Sequence, residues 1–144
     1  MRTARLLLAI ALAANGLAMI FVPAAWYHGV PGVSATGALN PHFVRDIGCA
    51  YLVAGAAFVW LVFAASRAWP TALAGATFLA LHALVHLAEV ASGGQHLPHL
   101  FVDLPGVFLL PALALWLAFP FRRKLTTEET SNAALDHQAP ARRL

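Results

Sequence analysis

Residues 71–91 read TALAGATFLALHALVHLAEVA. Apart from two threonines, this run carries only His82, His86 and Glu89 as polar side chains. An α-helix rises 1.5 Å per residue, so about 20 apolar residues cross a hydrocarbon layer of roughly 30 Å. The run therefore reads as a spanning helix with its polar groups toward one end. His82, His86 and Glu89 are spaced i, i+4, i+7. At 100° per residue they fall within an arc of about 60° on one face. A charged side chain at mid-bilayer costs about 2.5–3.5 kcal/mol on insertion scales. Three such groups on one stripe should turn inward, toward other helices. Phe78 and Gly75 continue the stripe, and a glycine there lets a neighbouring helix approach closely.

Three further apolar runs flank this one, at about 6–25, 42–65 and 104–121. The last contains Pro105 and Pro111 and is expected to kink or tilt. The whole chain is 60% hydrophobic and 10% charged. Soluble domains carry about 25% charged residues, so lipid is expected to surround most of this one. The expected fold is an all-α, integral membrane four-helix bundle occupying residues 1–121. Residues 122–144 form a basic, then polar tail, expected to be cytoplasmic and disordered. A secretory signal peptide is the other reading of the first run, given its basic start and the small Ala24 and Ala25. Its apolar core is longer than the roughly 7–15 residues of a signal core. Trp26 and Tyr27 then stand where an interfacial aromatic belt belongs.

Basic residues fix the expected orientation. Arg2, Arg5, Arg67 and the Arg122-Arg123-Lys124 cluster fall on one side of a four-span chain, while the connections 26–41 and 92–103 hold no Lys or Arg. The positive-inside rule then gives an N-in/C-in protein of the plasma membrane. The net charge of +3 and pI near 9.8 come from these flanks and the tail. No basic face for nucleic acid results. Cys49 is the single cysteine, which excludes an intrachain disulfide and a cysteine-based zinc site within one chain.

Six of the seven histidines lie toward the outer side, with only His137 in the tail. Arg45 and Asp46 open the second span at a depth comparable to Glu89. A forked Arg45–Glu89 pair, or an Arg45–Asp46 pair, is expected to complete a buried network with His82 and His86. Asn15, in the first span, is expected to bond a neighbouring backbone. The network has a structural reading, in which it fixes helix register, and a functional one. In the latter it binds a quinone, a haem or a transition metal, with His82, His86 and Glu89 as metal ligands, or it relays protons. On the buried pairing, Glu89→Ala should destabilise more than His99→Ala. The connection carrying His96 and His99 reads as a solvated interfacial loop, with a flexible, histidine-bearing lid as the other reading. Asp103, just before Pro105, reads as the N-cap of the fourth span. Phosphate-binding loops, nucleophile elbows and Cys-x-x-Cys pairs are absent.

The second span runs His42-Phe43-Val44-Arg45-Asp46-Ile47-Gly48-Cys49-Ala50-Tyr51-Leu52-Val53-Ala54-Gly55. An Arg-Asp pair opening a glycine-punctuated helix resembles the DoxX-like small four-helix membrane proteins. The resemblance rests on Arg45, Asp46, Gly48 and Gly55. It implies a four-span fold, and some relatives are linked to quinone-coupled sulfur oxidation. The expected function is a small multi-pass, non-enzymatic subunit or partner of a membrane complex, in contact with the bilayer and with other subunits or copies of itself. The alternative is a redox-linked membrane component holding a quinone, haem or metal at the His/Glu/Arg cluster. A transporter is the weakest option, since four spans leave little room for alternating access.

Overall fold

The computed structural model describes residues 1–119. The tail, the Arg122–Lys124 cluster and the last residues of the fourth expected span lie outside the described residues. The described residues are helical, with no strand among them. Four helical stretches are long and apolar enough to cross a membrane: Arg2–Phe21, Pro41–Phe63, Ala65–Ala91 and His99–Ala118.

Helix α1 (Arg2–Phe21) ends at Val22, which leaves helical geometry at φ −131°, ψ 54°. The cause is Pro23, whose ring disfavours the helical region for the residue before it. Proline then occupies the first turn of α2 (Pro23–Gly29), where its missing N–H costs nothing. The first span therefore stops earlier than residue 25, and Trp26 and Tyr27 ride on a separate short helix. Helix α3 (Pro41–Phe63) starts at a well-made cap. Asn40 Oδ1 accepts from the backbone N–H groups of His42 at 3.1 Å and Phe43 at 3.2 Å, and Pro41 follows.

Residues 66–70, expected as a connection, are helical instead. Helix α4 (Ala65–Ala91) follows α3 after the single residue Ala64, at φ −138°, ψ 56°. Pro70 sits in the second turn of α4, where its missing donor falls on the carbonyl of Ser66, near the helix end. At its far end α4 is closed by Gly93 in the left-handed region, φ 79°. The Glu89 carbonyl accepts from Gly94 N–H at 2.8 Å and Gln95 N–H at 3.2 Å. The fourth stretch begins at His99, well before residue 104. It consists of α5 (His99–Asp103), a wide π-helical turn Leu104–Leu109, and α6 (Leu110–Ala118).

The helices pack α1 on α3, α3 on α4 and α4 on α6, while α1 and α6 touch little. Glycines set the tightest seam. A Cβ at Gly16 would stand 2.7 Å from the Gly48 carbonyl oxygen, and one at Gly48 would stand 2.9 Å from that of Gly16. Only glycine at both positions permits this approach of α1 to α3. The half of the bundle holding the N-terminus, the Ala64 junction and Phe119 is called the lower half below. Its core is Leu8, Leu12, Phe58, Leu61, Leu79 and Leu117, interleaved with Ala68, Ala72, Ala76 and Ala114. Alternating large and small side chains fill this space closely.

The lower end is fastened by Arg5, which is 7% exposed. Its Nε donates to the Leu117 carbonyl at 3.0 Å and its Nη2 to the Phe119 carbonyl at 2.9 Å. These are carbonyls of the last turn of α6, which have no partner within the helix. A cation there also meets the negative end of the helix dipole.

Candidate functional site: a histidine-lined cavity

The upper half, which carries the connections 30–40 and 92–98, does not close in the same way. Between α1, α3 and the α5 stretch lies a cavity of about 730 Å³. Most of its wall is apolar, with Met19, Val44, Ile47, Val107 and Leu110 contributing. Its polar wall comes from Asn15, Tyr27, Tyr51, His82, His86, His99 and Asp103.

The centre of that wall is Asp103, 6% exposed. His86 Nδ1 lies 2.8 Å from its Oδ2. An ionised carboxylate only accepts, so Nδ1 carries the proton of this bond and the other nitrogen, Nε2, keeps its lone pair in the neutral ring. His99 Nε2 lies 3.6 Å from Asp103 Oδ1, too far for a hydrogen bond. His82 packs edge-on against His86, with ring centroids 4.8 Å apart. Tyr51 is held edge-on by Phe78 at 5.9 Å.

The roof is built from the two upper connections. The Tyr27 hydroxyl bonds the carbonyls of Gly37 and, at 3.3 Å, Ser34. Gln95 Nε2 donates to the Ala35 carbonyl at 3.3 Å and ties the two connections together. Gly32, at φ 85°, lies over His99, where an added Cβ would stand 3.1 Å from Cε1 and 3.2 Å from Nε2.

The expected network is brought together only in part. His82 and His86 do share one face and line the cavity, as their spacing requires. Glu89 does not: it is half-buried and stands outside the cavity wall. The expected Arg45–Glu89 and Arg45–Asp46 pairs are not formed. Arg45 is exposed, and its Nε donates at 3.2 Å to the Ile20 carbonyl, in the last turn of α1. Asp46 turns outward and meets His42 at 3.4 Å in an exposed i, i+4 pair. Such surface pairs are worth about 0–1 kcal/mol. Asn15 lines the cavity but bonds side chains rather than backbone. Its Oδ1 accepts from the Trp26 indole at 2.9 Å, and its Nδ2 lies 3.6 Å from Met19 Sδ. Trp26 and Tyr27 thus wall the cavity instead of only marking a boundary.

Asp103 makes no side-chain cap bond, so its expected N-cap role is replaced by the pair with His86. His99 is not a solvated loop residue; its side chain is 12% exposed. Sequence carried a signal for both. His99 and Asp103 are an i, i+4 pair, like His82 and His86, but only on a helix that starts before residue 104. Among the described residues no three His, Cys, Asp or Glu side chains are arranged to hold a metal ion. Comparison with family models, curated proteins and solved structures returned no match.

Proposed function

We propose that this chain is a multi-pass membrane protein that binds a lipophilic small molecule with a polar head in its upper cavity. Four apolar helices support membrane insertion. So does the bundle's outer surface, where Phe21, Phe63 and Phe101 are each about three-quarters exposed. Patches of that kind are rare on soluble monomers and suit acyl chains. Arg2, Arg5 and Arg67 belong to the lower end, and the upper connections lack Lys and Arg. This favours cytoplasmic termini and a plasma-membrane location.

The observation that carries the binding reading is a largely apolar cavity of about 730 Å³ with a buried Asp103–His86 pair in its wall. Ligand sites are typically concave and apolar, about 300–1,000 Å³, with a few polar groups that orient the ligand. The protein acts as a binding component, alone or within a larger membrane complex, and not as an enzyme on its own. A redox-linked variant, with a quinone as the lipophile, is favoured by the same pair, because an imidazole on a carboxylate can exchange protons with a ligand carbonyl.

The test is extraction. Protein purified in mild detergent should yield a lipophilic compound in stoichiometric amount by organic extraction and mass spectrometry. His86→Phe protein should yield much less. Equal recovery from both, or none from either, would overturn the reading. A visible absorption band or bound metal in place of a lipophile would favour haem or metal instead.

A further inference from the structure

Granted the lipophile-binding reading above, we infer that the cavity selects a long-chain carboxylic acid and holds its carboxylate against His99 and His86.

The first observation is an unmet hydrogen-bonding group. His99 Nε2 is buried and has no hydrogen-bond partner among the described residues. Buried polar atoms in folded proteins are nearly always bonded, so an exception calls for a missing partner. Asp103 Oδ1, at 3.6 Å, does not supply it. His99 lines the cavity, and Gly32 packs so closely over its ring that an added Cβ would stand 3.2 Å from Nε2.

The second observation is the balance of bases and acids on the wall. The titratable groups on the cavity wall are His82 and His86 from α4, His99 and Asp103 from α5, Tyr27 from α2 and Tyr51 from α3. Among the described residues, lysine, arginine and glutamate are absent from it. Asp103 stands between two imidazoles, one at 2.8 Å and one at 3.6 Å. The wall thus offers three imidazoles to one carboxylate, and that carboxylate is already engaged by His86. Buried charges persist only when paired. An acid entering the cavity gives its proton to an imidazole nitrogen; no carbon–oxygen bond changes. The product is a carboxylate beside an imidazolium, a charge-assisted pair. An amine would add a cation where the single carboxylate is already engaged. An alcohol has no proton acidic enough to transfer and forms no such pair.

The third observation places the chain. Helix α1 packs extensively on neither α5 nor the wide turn Leu104–Leu109. The wall there is Met19, Val107 and Leu110, a surface suited to an alkyl chain reaching in from the hydrocarbon.

The experiment compares three probes of one chain length in lipid nanodiscs: oleic acid, oleyl alcohol and oleylamine, at equal mole fraction. Oleic acid should be retained about tenfold better than either, as expected for a charge-assisted hydrogen bond. In His99→Gln and in the His86→Gln, His99→Gln double variant, the ratio of acid to alcohol should fall toward one. The comparison on unaltered protein needs no variant to fold. Equal retention of all three probes would overturn the acid selectivity and leave the lipophile reading standing. Retention of none, together with no extractable lipophile, would overturn both.

Discussion

Among the described residues, each half of the bundle buries one charged side chain, and the two are treated in opposite ways. In the lower half Arg5 spends its donors on the Leu117 and Phe119 carbonyls. Those carbonyls lie at the end of α6, beyond the reach of its own N–H groups, so the arrangement closes on itself. In the upper half Asp103 engages one imidazole fully and a second at a distance, with about 730 Å³ of space in front of them. Both charges are equally hidden, at 7% and 6% exposure. Burial alone therefore does not mark a functional group. What separates the two is whether the chain itself uses up the bonding capacity.

Substitutions can test that contrast, beginning with the seam that serves both halves. Gly16→Leu should abolish folding, because its Cβ would stand 2.7 Å from a backbone oxygen of α3. A folded variant with native thermal stability would show that the helices approach less closely. Arg5→Met should destabilise by about 2–3 kcal/mol, the scale of charged hydrogen bonds, when unfolding is followed in detergent. It should leave ligand retention intact, and loss of retention without loss of stability would erase the division between halves. His99→Ala should cost about 1–2 kcal/mol, a burial loss without a broken hydrogen bond. Glu89→Ala should stay within about 0.5 kcal/mol, as substitutions away from buried contacts do. This order reverses the one that the sequence predicts; finding Glu89 the more costly of the two would restore an ion pair that the structure does not contain.

The helices were legible because hydropathy over about 20 residues survives errors of a few positions at each end. The His82–His86 stripe was legible for a similar reason: insertion energetics and a 3.6-residue repeat allow it one orientation. The remainder of the site was hidden by two local features. Starting the last helix at residue 104 placed His99 in a loop and left Asp103 a capping role, which concealed their shared face. Arg45 posed a different difficulty. An arginine near a helix end can pair with a carboxylate or cap another helix's carbonyls, and sequence does not distinguish the two. Here it caps α1 at Ile20, as Arg5 caps α6. The one-residue junction at Ala64 had no proline or glycine to announce it, whereas Arg67, Trp69 and Pro70 resembled a connection.

The wide turn at Leu104–Leu109 has a consequence for how the two ends of the last stretch are phased. Asp103 precedes it and must face α4; Leu117 follows it and must offer its carbonyl to α1. Successive residues of an α-helix are rotated by about 100°, and a π-helical turn takes up the extra residue that such rotation would otherwise misplace. Removing one residue from this turn would swing everything beyond it by about that angle. The carboxylate could then meet its histidine, or the final carbonyls could meet their arginine, but not both. The length of this turn is thus under constraint from both ends of the molecule, although its own side chains make neither of those two contacts.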